Sequence, residues 1–136
     1  MLAIGNSFSV LAHRSPASNA DVAALTRHFP FIPKEYLDLV AQATEVEVQH
    51  QSGQYLRIWD PLDCIEMDEG YHIRKYISDA IPIGDDGGGQ VIFYMNGHNG
   101  FGLYHVGYGN LGRDDAVWIS ANLSDLLLKA TGIDTF

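Results

Sequence analysis

The sequence predicts an α+β domain: a mainly antiparallel sheet with N-terminal helices and a C-terminal helix packed on it. Helical periodicity comes first, followed by several strand-like runs joined by turn signals, and a last helical pattern closes the chain. Consecutive strands that are linked by short turns pair antiparallel. A chain of 136 residues with 46% apolar side chains is long enough to bury one core.

The first two helices are predicted from their boundary residues. Ser18, with Asp21 three residues later, is typical of a helix start, and apolar residues then recur at spacings of three and four. Pro30 ends this helix. Pro33 starts a second helix at the first helical position, where its missing N–H group is tolerated. We therefore expect two short helices that meet at a proline corner.

The pattern then changes to strands. Val46 and Val48 alternate with polar residues, Ser52-Gly53 is a turn signal, and residues 55–59 form a second β-prone run, which together predict a hairpin. Asp60-Pro61 is typical of a new helix start. Residues 62–76 have no clear period. They carry six charged side chains, of which four are acidic, and this composition indicates a solvated face or a contact surface.

The second half is predicted to be strands and turns, with a helix at the end. The run Val91–Met95 is the most strand-like in the chain, and Asn96-Gly97 predicts a hairpin turn to a partner strand at residues 102–106. Residues 116–119 are expected to form the last strand, and Asn122 is expected to start the final helix. The predicted organisation is a loosely ordered segment at residues 1–17, followed by a single domain at residues 18–136.

Charge and composition limit the class of protein. Eight Lys and Arg against seventeen Asp and Glu give a net charge of −9, which argues against a nucleic-acid backbone or an anionic membrane as the main partner. A cationic protein is the partner that this charge attracts most easily. No apolar run approaches the roughly 20 residues that span a bilayer. With a single cysteine, no intrachain disulfide can form, and we expect a cytoplasmic protein.

No motif predicts catalytic, cofactor-binding or metal-binding residues. In the segment Gly84–Gly89, two aspartates would repel phosphate and a strand follows, which argues against a phosphate loop. Paired carboxylates suit calcium, but the spacing of an EF-hand is missing, so a tight turn is favoured over both. His98 and His105 lack the spacing of metal ligands. Cys64 is expected to be a small core residue and not a nucleophile.

Acidic residues and aromatic residues in loops remain as candidates for a partner-binding surface, because such aromatics beside acids are typical of interface anchors. We predict two patches. The first patch comprises Asp63, Glu66, Asp68, Glu69 and Tyr71, and the second comprises Asp85 and Asp86.

Several segments resemble the SUKH superfamily, specifically its Smi/Knr branch. The resemblance rests on the start of the second helix, Phe31-Ile32-Pro33-x-x-Tyr36-Leu37, and on Ile83 followed by the glycine-aspartate turn at residues 84–89. It continues at Gly102-Leu103-Tyr104 and in the ending Ala121-x-Leu123-x-x-Leu126-Leu127. It covers about residues 22–128. Where members often carry Asn-Gly after the second helix, this chain has Gln42-Ala43-Thr44.

The resemblance implies an α+β fold without enzymatic chemistry. Bacterial members look like immunity proteins that neutralise polymorphic toxins, often nucleases or deaminases, and fungal relatives act as scaffolds in cell-wall regulation. We therefore expect a binding module whose acidic surface covers a basic toxin domain. Two alternatives stay open: a small metal-dependent or acid–base hydrolase, which a pocket joining Asp85, Asp86, His98 and His105 would favour, and a regulatory scaffold.

Overall fold

The chain forms one seven-stranded antiparallel sheet, in a computed structural model that describes residues 3–136. The strands lie in the sheet in chain order, so each one pairs with its neighbours in sequence. They are β1 (Phe8–Arg14), β2 (Thr44–His50), β3 (Tyr55–Ile58), β4 (Ile81–Asp85), β5 (Gln90–Gly97), β6 (Gly100–Gly107) and β7 (Val117–Ser120). This arrangement confirms the predicted α+β class.

Five helices within the described residues pack on this sheet and on one another. They are α1 (Asn19–His28), α2 (Lys34–Val40), α3 (Pro61–Tyr71), α4 (Ile73–Tyr76) and α5 (Leu123–Lys129). Helix α1 packs on α3, α3 packs on β4, and α5 packs on β7. All side chains of Val91–Met95 in β5 are buried, and because neighbours in a strand point to opposite faces, both faces of the sheet are covered there. None of these helices has the length and apolar character that crossing a bilayer requires.

The helix starts follow the predicted caps. Three side chains each accept a hydrogen bond from the backbone N–H three residues later: Ser18 from Asp21 at 3.1 Å, Asp60 from Asp63 at 2.8 Å, and Asn122 from Asp125 at 2.7 Å. These bonds satisfy N–H groups that the first helical turn leaves free. Pro33 lies one position outside its predicted place, because α2 begins at Lys34.

Residues 62–76 resolve into α3 and α4. The two helices meet at His72, whose backbone is left-handed with a φ of 54°. Helix α3 buries Cys64 and Asp68 and exposes Glu66 and Glu69, so its charged residues divide between two faces. This division explains why no single apolar period is visible in the sequence.

The expected loose segment at residues 1–17 is corrected at β1, Phe8–Arg14, whereas residues 1–2 of that segment lie outside the described residues. This strand pairs antiparallel with β2 along most of its length, from Phe8 opposite His50 to Arg14 opposite Thr44. Only Phe8 is buried in β1. The side chains that follow Phe8 in β1 are all exposed. The strand therefore lacks the alternation of apolar and polar residues from which a half-buried strand is predicted.

The hairpin between β5 and β6 is confirmed, but its turn lies two residues further on. Strand β5 continues through Gly97, and the turn is His98-Asn99 followed by Gly100 with a φ of 90°. The Tyr104 hydroxyl accepts a hydrogen bond from the Asn99 N–H at 3.1 Å and donates one to the Gly100 carbonyl at 2.8 Å. A Cβ on Gly97 would lie 2.7 Å from that hydroxyl oxygen, so Gly97 is required for this close approach.

Candidate protein-binding surface

The outer face of α3 is acidic with an apolar edge. Leu62, Glu66 and Glu69 are separated by four and three residues, which places them in one row on the helix, and all three are exposed. Among the described residues neither glutamate forms an ion pair. Tyr71 lies at the end of the helix and is also exposed. We call Leu62, Glu66, Glu69 and Tyr71 the α3 surface; it contains three members of the first predicted patch.

Asp68 is corrected from a surface residue to a buried one. Its carboxylate accepts hydrogen bonds from the Arg74 Nε at 2.8 Å and from the Arg74 backbone N–H at 3.2 Å, and it lies 2.9 Å from the His28 Nε2. Arg74 also donates to the His28 carbonyl at 3.2 Å, and its guanidinium lies 4.9 Å from the centre of the Phe29 ring. Asp68 therefore holds α1, α3 and α4 together and has no free oxygen for a partner.

Asp85 of the second patch is also buried. Its carboxylate accepts hydrogen bonds from the Trp59 Nε1 at 2.6 Å, from the Arg57 Nε at 3.1 Å and from the Gly87 N–H at 2.8 Å. Asp86 is partly exposed and accepts bonds from two backbone N–H groups of the β4–β5 turn. The pair therefore holds this turn in shape, and only Asp86 remains reachable by a partner.

The two predicted patches meet at Tyr108, a loop aromatic that the sequence analysis placed in neither patch. The Tyr108 ring stacks on Tyr71 with centroids 4.3 Å apart, and its backbone N–H donates to the Gly89 carbonyl at 3.0 Å. Its hydroxyl is buried and has no hydrogen-bond partner within residues 3–136. Burial, together with the charge of Asp85, raises the pKa of Tyr108. Tyr71 therefore packs on the Tyr108 ring, and the backbone of Tyr108 is hydrogen-bonded to the glycine turn.

Asp63 belongs to a group of three carboxylates. It lies with Glu45 and Asp60, and one oxygen from each falls within 4.8 Å of the others. The pKa of Glu45 is raised to about 7, mainly by burial and also by the adjacent Asp63. Glu45 is 8% exposed, accepts a hydrogen bond from the Asp60 N–H at 3.0 Å, and has a left-handed backbone with a φ of 46°. Such a group has the chemistry of a proton carrier or of a hard-cation ligand set.

Three other candidates for catalysis, Cys64, His105 and His98, lie in different surroundings. Cys64 is fully buried, and burial raises the pKa of its thiol, so the thiolate that a nucleophile needs is disfavoured. His105 is buried against Phe136, where burial lowers its pKa, whereas His98 is exposed and packs edge-on against Tyr104. The cavity that Asp86 lines, beside Tyr55 and Phe136, contains neither histidine.

Comparison with known proteins gives no family. No protein-family model matches the chain, and no curated protein matches it. The SUKH resemblance therefore stays a prediction.

Proposed function

We propose that this chain is a protein-binding module that covers the basic site of a partner, in the manner of a SUKH immunity protein that neutralises a toxin domain of the nuclease or deaminase class. The observation that carries the proposal is the α3 surface. Among the described residues its two glutamates are exposed and form no ion pair, they share a row of the helix with the exposed Leu62, and the exposed Tyr71 at the end of the helix stacks on Tyr108. Acidic side chains around large apolar anchors are the arrangement expected where a cationic protein docks.

The charge of the molecule supports the same proposal. A net charge of −9 steers a basic partner toward the chain before contact, and unpaired glutamates then favour one orientation. Asp68 and Asp85 take part only indirectly, since they fix α3 and the β4–β5 turn that present the surface. Contact energy is expected to come mainly from Leu62 and Tyr71, because desolvated apolar anchors contribute more than exposed charges.

The test is a charge reversal on the α3 surface. The partner is to be sought first among toxin domains encoded next to this gene. The double variant Glu66→Lys/Glu69→Lys is expected to weaken binding to such a domain by about tenfold or more, mostly through slower association at low salt. The matched control is Asp114→Lys/Asp134→Lys, which makes the same charge change at exposed positions elsewhere. Surface plasmon resonance at two salt concentrations measures both rates. Equal weakening by the two double variants would overturn the assignment of the surface.

A further inference from the structure

A cleft without acidic side chains lies at the end of β1. It has a volume of about 650 Å³ and is formed by the last residues of β1, the segment that follows them, and the connection from α2 to β2. The residues that line it are His13, Arg14, Ser15, Pro16, Gln42 and Thr44. No carboxylate belongs to this lining within the described part of the chain, although the chain carries seventeen Asp and Glu.

Arg14 is a cation without an internal counter-charge. Five of the eight Lys and Arg side chains form ion pairs with carboxylates, whereas Arg14 forms none within residues 3–136. Residues 1–20 contain no Asp or Glu, so the segment around Arg14 supplies no acid of its own. The guanidinium group is exposed and presents a planar fork of donors that matches two oxygens of one anion.

The acids of the neighbouring elements are in contact with other groups. Glu47 of β2 accepts a hydrogen bond from the Tyr55 hydroxyl at 2.6 Å, and Glu45 accepts one from the Asp60 N–H at 3.0 Å. Asp38 forms an ion pair within α2. At physiological ionic strength, charges more than about 8 Å away are largely screened. The net charge of −9 therefore does not prevent an anion from binding beside Arg14.

Hydrogen bonds hold the walls of the cleft together. Arg14 lies opposite Thr44 in the ladder between β1 and β2, and the Thr44 hydroxyl donates to the Ser15 carbonyl at 2.8 Å. The Ala17 N–H donates to the Val40 carbonyl at 2.8 Å, which joins the segment after β1 to the end of α2. A ligand that enters a cleft whose backbone is already fixed loses less free energy to ordering of the protein.

We propose that this cleft binds the phosphate monoester group of a ligand. The Arg14 guanidinium binds two of the phosphate oxygens. The exposed side chains of His13, Ser15 and Gln42 carry further N–H and O–H donors in the same cleft. A phosphate monoester has a charge of about −1.5 to −2 at neutral pH and three strong acceptor oxygens, so it uses this donor set more fully than a carboxylate does.

This inference goes beyond the proposed function. No residue of the cleft belongs to the α3 surface, and the two sites select ligands of opposite charge. The cleft is larger than a phosphate group, so it also has room for the part of the ligand that carries the phosphate.

The first test uses inorganic phosphate as the probe. The isotope-labelled chain is titrated at constant ionic strength and followed by amide NMR, and saturable shifts are expected at residues 13–17 and 42–44. Arg14→Gln is expected to weaken phosphate binding about tenfold or more. Arg14→Lys keeps the charge but lacks the fork, so its affinity is expected to lie between those of Arg14→Gln and wild type.

The matched control is Arg27→Gln. It removes the same charge at an exposed position that forms no ion pair among the described residues, and it lies outside the lining of the cleft. We expect this variant to bind phosphate as wild type does. Equal weakening by Arg14→Gln and Arg27→Gln would overturn the proposal, as would shifts that do not saturate or that chloride reproduces at the same ionic strength.

Two further probes distinguish the sources of the phosphate group. Glycerol phosphate represents a free small molecule, and an Ala-phosphoserine-Ala peptide with blocked ends represents a phosphorylated polypeptide. Whichever binds more tightly than inorganic phosphate identifies the source, and the amide spectra show that each variant is folded. The Glu66→Lys/Glu69→Lys variant is expected to keep phosphate binding, so failure here and failure of the α3 surface are distinguishable.

Discussion

At the scale of single residues, Glu45 occupies a position that costs free energy in three ways. Its carboxyl group is buried, it faces two other carboxylates, and its backbone is in the left-handed region that side chains other than glycine rarely occupy. The N–H of Asp60 donates to it and offsets part of this cost. The balance favours the protonated form, with the pKa raised to about 7 from the ordinary value of 4.5.

This shift predicts a loss of stability as the pH rises. The raised pKa means that the folded chain holds a proton that the unfolded chain releases, so the contribution is complete below pH 4.5 and is lost as the pH passes about 7. Glu45→Gln imitates the protonated group. Between pH 5 and pH 8 the variant is expected to gain about 1–2 kcal/mol relative to wild type in urea unfolding.

Comparison between the two proteins cancels the titration of other groups, such as His105, whose pKa is lowered by burial. Glu66→Gln, at an exposed position, serves as the control and keeps the wild-type pH dependence. If Glu45→Gln and wild type show parallel pH profiles, the interpretation of Glu45 as protonated in the folded chain is wrong.

At the scale of elements, three helices depend on one carboxylate. Asp68 is the point at which α3 is joined to α4 through Arg74 and to α1 through His28. Removing a buried ionic partner leaves the remaining charges incompletely solvated, which costs more than the pair itself contributes. We expect Asp68→Ala to reduce the free energy of unfolding by about 2–3 kcal/mol, since Arg74 is partly exposed and recovers some solvation.

The matched control for this prediction is Asp38→Ala. Asp38 pairs with Lys34 at 2.8 Å on the surface of α2, where both side chains are exposed. Such pairs contribute about 0.3–0.5 kcal/mol, so urea unfolding should separate the two variants clearly. Similar losses in both would show that the Asp68 network contributes no more than a surface pair.

Elements with local signals could be predicted, and contacts between them could not. The caps at Ser18, Asp60 and Asn122 are formed by residues three positions apart, so the sequence displays them directly. The Asn-Gly signal occurs twice, at residues 96–97 and 99–100, and the turn forms between the two pairs, at His98-Asn99, where Tyr104 packs over Gly97. The inward orientation of Asp68 depends on Arg74 and on α1, which no local pattern contains.

At the scale of the whole molecule, the sheet includes the N-terminal strand. Besides the pairing of β1 with β2, the N–H of Gly5 donates to the Leu127 carbonyl at 2.8 Å, and Phe8 packs edge-on against His50. Deletion of residues 1–14 would therefore remove a strand and leave the open edge of β2 unpaired. The truncated chain is expected to unfold at lower urea concentration and to self-associate, as measured by fluorescence and light scattering.

Leu11→Ser is the control for the deletion, because it changes an exposed side chain of β1 and keeps the backbone pairing. Its free energy of unfolding is expected to stay within about 0.5 kcal/mol of wild type. A truncated chain with an unchanged midpoint would support the original expectation that residues 1–17 are loosely ordered.

The meeting of the two predicted patches was also beyond the sequence. Tyr71 and the glycine turn belong to different elements, and Tyr108, which lies later in the chain, contacts both. Phe31 could not be recognised as exposed, because a phenylalanine between two prolines is as compatible with a core as with a surface. The acidic composition, by contrast, was sufficient to predict exposed glutamates on α3.

The strict chain order of the strands has a consequence during synthesis. Every ladder joins strands that are consecutive in sequence. Each strand that leaves the ribosome can therefore pair with the strand synthesised just before it. Growth of the sheet can thus follow translation step by step, with a single advancing edge. The Glu35 carboxylate of α2 accepts hydrogen bonds from the Tyr94 hydroxyl of β5 and from the Leu123 N–H at the start of α5. It therefore links α2 to the last helix only after that helix has been synthesised.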